Sequence, residues 1–231
     1  MPIILVHLLI SFAATILGSI SGIGGGILIK PLMDTIGAFD VAVINFLSGC
    51  TVLSMSAVSL LRNRKTEIMI NRKIGGLLAA SGISGGIAGK FLFSLLLNRI
   101  SDGSHVQAVQ SSILLFLSIG VLLFTLYKKR IKPLHNENTI FCILVGFTLG
   151  LTGAFLGIGG GPINLLVLYF FFSMNSKTAA INSLFIIFFS QSASLITTVI
   201  TGTVPDFNFL VLLLMITGGV SGALVGSSIS R

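Results

Sequence analysis

Charged residues are scarce in this sequence, and their scarcity excludes a water-soluble protein. Asp, Glu, Lys and Arg together make up 9% of its 231 residues, whereas soluble domains carry about 25%. The sequence consists largely of long apolar runs, and each has roughly the 18 residues or more that a helix needs to cross a bilayer. The sequence therefore predicts an all-α, polytopic helical membrane protein with helices over seven runs: Ile3–Ile20, Val41–Leu61, Ile74–Leu97, Val106–Tyr127, Thr139–Leu156, Thr178–Ile200 and Phe207–Ile229.

Acidic residues and cysteines are also rare. All six acidic residues fall in predicted loops or at helix ends, so no carboxylate-based proton relay or cation site is visible within the helices. Two isolated cysteines, Cys50 and Cys142, form no disulfide framework. Cys, His and carboxylate residues do not cluster, and the glycine-rich segments do not fit the phosphate-loop or dinucleotide motifs. The sequence thus predicts no metal site and no cofactor.

The net charge of +8 is concentrated in two short basic segments. Arg62–Lys73 and Lys128–Lys132 hold most of the basic residues between predicted helices. Such loops are typical of the cytoplasmic side of a membrane protein. We therefore expect a multi-pass protein of the cell membrane with both basic loops in the cytoplasm and Asn98–His105 outside. The charge orients the protein in the lipid bilayer and requires no nucleic acid.

Three blocks of sequence occur twice, which predicts an internal duplication. The segment GIGGG at 22–26 returns at 157–161, an offset of 135 residues. Asn45 and Asn182 lie in the matching segments AVINFL and AAINSL, and GISGGIAG at 82–89 matches GVSGALVG at 219–226, both at an offset of 137. We divide the chain into a first repeat over residues 1–132, with about four helices and a broken segment, and a second over 133–231. The second repeat lacks a counterpart of Val106–Tyr127, so either that helix is lost or the chain is truncated.

The repeated glycines predict a break in a membrane helix of each half. Irregular backbone at membrane depth occurs where it packs in protein or lines a cavity, and matching breaks in two halves indicate a transporter's binding site. A short helix starting at each break would direct free N–H groups at an anion. We predict substrate binding by Gly24, Gly25, Gly26, Gly159, Gly160 and Gly161, and by the polar residues Asn45, Ser48, Asn182 and Ser183 that follow. The alternatives are close helix packing for the glycines and interhelical hydrogen bonds for the polar residues.

Two lysines and a serine near these segments are weaker candidates for binding or catalysis. Lys30 and Lys90 lie close enough to helix ends for their amines to reach the membrane surface, and neither lysine has a counterpart in the other half. The Gly-Ile-Ser-Gly segment at 82–85 resembles that of an intramembrane serine protease, yet no histidine is placed to act as its base. Overlapping GxxxG spacings at 82–89 and 218–226 favour helix packing instead. The chain is therefore not expected to be an enzyme.

These motifs resemble the sulfite exporter TauE/SafE family. Gly22-Ile23-Gly24-Gly25-Gly26 followed by Pro31 fits a Gly-X-Gly-Gly-Gly-x4-Pro signature in full, whereas Leu166 replaces the proline in the second copy. The segment AAINSL resembles an Ala-x-x-Thr-Ser-Leu stretch, with Asn182 in place of threonine. The resemblance implies a duplicated membrane transporter that exports or exchanges small sulfur-containing anions such as sulfite or organosulfonates. It also implies an eight-helix pattern, from which the absent last helix departs.

The alternatives to this function are of two kinds. The substrate could be another small anion or an organic acid. In another class, the chain could be a membrane-embedded enzyme, which the lack of a nucleophile–base pair disfavours, or a non-transporting scaffold, which the short loops and paired breaks disfavour. Sequence alone leaves the coupling ion, the direction of transport and the oligomeric state open.

The basic loops yield a topology that can be tested. Asn71→Cys should react with a membrane-impermeant thiol reagent only from the cytoplasmic side, whereas a cysteine placed within 98–105 should react from outside. Single-cysteine labelling from each side of the membrane measures both. External labelling of Asn71→Cys would contradict the prediction.

Overall fold

The chain folds into helices joined by short connections. A computed structural model describes residues 2–21, 25–63, 72–100, 103–127, 133–136 and 138–229. Within them the helices are α1 (Pro2–Ser21), α2 (Gly26–Ile36), α3 (Val41–Asn63), α4 (Arg72–Arg99), α5 (Gly103–Tyr127), α6 (Thr139–Leu156), α7 (Gly161–Phe172), α8 (Ser176–Ile200) and α9 (Phe209–Ile229).

The predicted membrane segments are confirmed as helices. Six of the helices, α3, α4, α5, α6, α8 and α9, are long and apolar enough to cross a membrane. The remaining run lies in α1, whose apolar part covers Leu5–Ile20. The described residues contain no strand, and the protein is a polytopic helical membrane protein.

The second glycine segment interrupts the chain as predicted and turns it back. Helix α6 ends at Leu156, Gly157 and Gly160 adopt left-handed conformations with φ of 68° and 72°, and α7 begins at Gly161. Helix α7 has 12 residues and is therefore about 18 Å long, too short for a hydrocarbon core of about 30 Å. Its last carbonyls accept hydrogen bonds from Leu134 N and Asn136 N, just before α6. Helices α6 and α7 thus form a re-entrant hairpin.

The first glycine segment is followed by the same kind of return. Helix α1 ends at Ser21 and the 11-residue α2 begins at Gly26. Beyond α2, the Phe39 ring lies 5.2 Å from the His7 ring, near the start of α1. Helix α2 therefore runs back toward the side on which α1 begins.

The two returns determine the relative orientation of the halves. Helices α3, α4 and α5 lie between the α1–α2 hairpin and the α6–α7 hairpin. If both hairpins return without crossing, these three crossings place the starts of α1 and α6 on opposite sides, and the two halves would be inverted. The duplication itself remains a prediction.

The GxxxG segments of α4 and α9 pack against the first helix of the opposite half. Helix α4 makes its most extensive contact with α6, and α9 with α1. A side chain at Gly85 would overlap the carbonyl oxygen of Phe147 on α6, and one at Gly222 would overlap that of Phe12 on α1. The predicted packing role of these glycines is confirmed, because only glycine lets the backbones approach so closely.

This contact predicts that Gly85→Ala destabilises the protein. The added methyl group has no space, and overpacking of this kind costs about 1–3 kcal/mol, which should lower the melting temperature in detergent by several degrees. Gly76→Ala is the matched control on the same helix, since a Cβ there meets no atom within 4 Å and alanine favours a helix over glycine. Equal melting temperatures for the two variants would contradict the packing role.

Candidate functional site

The two glycine segments lie in direct contact where the structure describes them. A side chain at Gly26, the first residue of α2, would overlap the carbonyl oxygen of Ile158 in the second break. A Cβ at Gly159 would come within 2.8 Å of Val52, and one at Gly26 equally close to the same side chain. The described part of the breaks therefore meets backbone to backbone, and anion binding by these glycines remains a prediction. Gly24 lies outside the described residues.

The end of α6 is buried, and side chains of the first half satisfy its carbonyl groups. Phe155 O accepts a hydrogen bond from Gln110 Nε2 at 2.6 Å, Leu156 O from Lys30 Nζ at 2.9 Å, and Gly157 O from Ser48 Oγ at 2.8 Å. A helix leaves its last four carbonyls without partners inside the helix. Here α5 and α2 of the first half supply partners for the last two carbonyls, and α3 supplies one for Gly157 just beyond the helix. Backbone N–H groups of the break bond to Gly153 O and Ala154 O.

Lys30 is fully buried, so the expectation that it reaches the membrane surface is wrong. Its ammonium donates to Asn45 Oδ1 and Gln110 Oε1, both at 2.5 Å, as well as to Leu156 O. These three bonds use all three donors of the group. A positive charge at the C-terminal end of a helix also interacts favourably with the helix dipole, which is why the amine stays inside.

A small polar cavity lies beside the second break, where α3, α4 and α8 meet the end of α6. Its volume is about 20 Å³, close to that of a single water molecule. Helices from both predicted halves contribute to it. The lining residues are Asn45, Phe46, Gly49, Lys90, Phe93, Ala154, Gly157, Gln191, Ser194, Leu195 and Thr198. We call this space the central cavity.

Three groups at the central cavity have unused hydrogen-bond donors. The Lys90 ammonium lies 5.3 Å from the ring centroid of the buried Phe93 and has no hydrogen-bond or ion-pair partner among the described residues. Asn45 accepts from Lys30 through Oδ1, which leaves its Nδ2 without an acceptor in the described structure. The Ser194 hydroxyl is equally free. The central cavity therefore offers a cation and neutral donors, the chemistry of an anion site.

Two further polar residues of the central cavity each donate a hydrogen bond to a backbone carbonyl. Gln191 Nε2 donates to Gly153 O at 3.3 Å, and Thr198 Oγ1 donates to Ser194 O at 2.9 Å. Lys90 was expected to reach the membrane surface, yet it lies about 14 Å along α4 from Arg99 with its amine over a buried ring. The described residues hold no group of three or more His, Cys, Asp or Glu residues that could bind a metal.

The residues predicted from sequence divide between the central cavity and the surrounding structure. Asn45 lines the cavity, and Ser48 lies next to it with its hydroxyl bonded to Gly157 O. Asn182 and Ser183 are fully buried in α8; Asn182 Nδ2 donates to Thr178 O, and neither is among the lining residues. The amide N–H of Gly25 faces the sulfur of Met55 at 3.4 Å, and Gly160 and Gly161 start α7.

Several residues that line the central cavity are not among the binding residues predicted from sequence. Lys90 is a lone charge in an apolar run and Gln191 an amide in another, so the sequence pattern marks both as candidates. Ser194 and Thr198 carry no such signal, because hydroxyl residues are common in membrane helices, where they bond the preceding turn.

The fold is that of a polytopic helical membrane protein, and comparison with known families identifies the chain as a membrane transporter. The chain matches the sulfite exporter TauE/SafE family over residues 7–231 and belongs to it. It is also similar to a protein of Bacillus subtilis (strain 168) named "Probable membrane transporter protein YunE", with 33% identity over 89 residues. That match covers 38% of this chain and 32% of the relative, about a third of its length. No solved structure matches the chain. Membership in a transporter family agrees with the expectation that the chain is not an enzyme.

The network around α6 predicts a large stability loss for Lys30→Met. The variant leaves Leu156 O, Asn45 and Gln110 without their donor, and each buried polar group left unpaired costs about 1–3 kcal/mol. The melting temperature of the purified protein in detergent should fall sharply. Lys177→Met, which removes an exposed lysine at the start of α8, is the control and should change little. A Lys30→Met protein as stable as this control would show that the network contributes nothing.

Proposed function

We propose that this TauE/SafE transporter moves small anions of the sulfite and organosulfonate type, and that the central cavity is the binding site. The observation that supports this most strongly is the Lys90 ammonium, a cation inside a membrane helix without an acidic partner in the described structure. An ionisable group at such a depth is costly and usually serves a ligand pathway. An anion would compensate the charge.

The neighbouring donors fit an oxyanion. Asn45 Nδ2 and the Ser194 hydroxyl lie on α3 and α8, so an anion held between them and Lys90 would contact helices of both halves. Charge-assisted hydrogen bonds of this kind are stronger than neutral ones. Gly157, which has no side chain, lines the cavity at the end of α6, together with residues from α3, α4 and α8.

The cavity's volume bears on how transport would proceed. A space of about 20 Å³ is too small for a sulfite ion, which has four heavy atoms. The anion enters only after the helices around the central cavity separate. This fits alternating access, in which one bundle of helices moves against another around a fixed site.

The substrate class and the membrane orientation complete the proposal. The family is described as sulfite exporters, and sulfite and sulfonates are small anions with several acceptor oxygens. The protein would act in the cell membrane, with the loops at 62–73 and 128–132 in the cytoplasm, because basic loops stay on that side.

Flux of labelled sulfite into proteoliposomes tests the function. The native protein should carry sulfite, and Lys90→Met should reduce its affinity roughly ten- to a hundred-fold, since bonds to a charged group contribute about 1.5–3 kcal/mol. Lys90→Arg should retain part of the flux because it keeps the charge.

Two controls accompany this measurement. Lys177→Met should behave as the native protein, because that side chain is exposed outside the cavity. The melting temperature of Lys90→Met should stay close to native, since the amine has no partner to leave unpaired in the described structure. Unchanged sulfite affinity in a stable Lys90→Met protein would refute the site, and no flux by the native protein would refute the function.

A further inference from the structure

A second, larger space begins at Lys90 and runs to the ends of two helices. It is a groove of about 690 Å³ between the C-terminal parts of α4 and α8. Lys90 lies at its inner end and also lines the central cavity. At its outer end lie Asn98 and Arg99 of α4 and Thr203 beyond α8. We call this space the α4–α8 groove.

The walls of the α4–α8 groove carry polar residues at helical spacing. Lys90, Ser94 and Asn98 follow one another every four residues on α4. On the facing wall, Thr197 of α8 is followed four residues later by Thr201, which caps the end of this helix. Residues four apart lie on the same face of a helix. The hydroxyls of Thr197 and Thr201 bond to carbonyls of the preceding turn, so the polar character of the groove rests on the α4 wall. A charged side chain such as that of Lys90 at membrane depth usually faces protein or a water-filled space. Phe91, Leu92 and Leu95 form its apolar part.

Resting on the proposed function, we infer that the α4–α8 groove is the route by which a small oxyanion reaches Lys90 and the central cavity. Arg99 stands at the mouth and Lys90 about 14 Å further along the helix, which is about half of a hydrocarbon core of ~30 Å. Two cations at the ends of one narrow space attract an anion inward and raise its local concentration. The mouth lies at the end of α4, beside the segment 98–105 that we expect outside the cell.

Lys90 is the boundary between the two spaces. Lys90 lines both, so an anion that arrives along the groove meets this residue before it meets Asn45 or Ser194. Passage from the groove into the central cavity then requires the Lys90 side chain to move together with the bound anion. The same residue would serve as the inner end of the route and as part of the site.

Cysteine labelling separates a wet route from a lipid-filled groove. In a background with Cys50→Ala and Cys142→Ala, Thr197→Cys faces the groove, whereas its neighbour Ile196→Cys lies at the same depth, 56% exposed and away from the groove. A membrane-impermeant sulfonated maleimide applied from outside should modify Thr197→Cys at least tenfold faster than Ile196→Cys. Ser94→Cys, on the opposite wall, is a second groove position should Thr197→Cys fail to fold.

Sulfite flux measured before and after labelling completes the test. Modified Thr197→Cys should lose sulfite flux and modified Ile196→Cys should keep it, because the thioether adduct fills only the groove. Equal labelling rates for the two cysteines would overturn the route, and so would full sulfite flux after modification of Thr197→Cys. Sulfite flux by the unlabelled variants would leave the proposed function intact in either case. No sulfite flux by the native protein would instead refute the proposed function, and the route with it.

Discussion

The structure depends on one constraint, which is that the carbonyl groups at the broken end of α6 must be satisfied where water is excluded. An unpaired backbone group in hydrocarbon costs several kcal/mol. Gln110, Lys30 and Ser48 satisfy Phe155 O, Leu156 O and Gly157 O, and each comes from a different helix of the first half. The first half therefore stabilises the break in the second half, and the two glycine segments touch at the same place.

The chemistry of the central cavity follows from the same network. Because Lys30 donates to Asn45 Oδ1, the amide of Asn45 is fixed with its oxygen toward the lysine and its Nδ2 free. A Cβ at Gly157 would come within 2.5 Å of that amide oxygen, so glycine at this position allows Asn45 to reach the network at all. A residue that satisfies the helix end thus also determines which atoms of Asn45 a ligand would meet.

The sequence predicts the features that depend on local pattern, namely the helices, the breaks and the GxxxG packing. It does not predict the features that depend on residues distant in the chain. The helices match the apolar runs to within a few residues, the breaks lie at the repeated glycines, and the GxxxG segments pack as their spacing indicates. The burial of Lys30 could not be foreseen, because its partners Gln110 and Leu156 lie 80 and 126 residues away in the chain. The short α2 and α7 were expected, but their return to the starting side follows from contacts such as those of Leu134 and Asn136 with the end of α7.

The predicted duplication gives both halves the same order of helices, yet the lysines Lys30 and Lys90 occur in the first half alone. Leu165 and Ser227 occupy the positions that match Lys30 and Lys90. Ser227 bonds to Arg62 near the end of α9, and Asn182 Oδ1, which matches the acceptor of Lys30, has no donor in the described structure. Two related sites would be expected from two equal halves. An anion in so apolar an environment needs a compensating cation, which Lys90 supplies at the central cavity and Ser227 does not. The binding site that we propose at Lys90 therefore has no charged equivalent at the matching position of the second half.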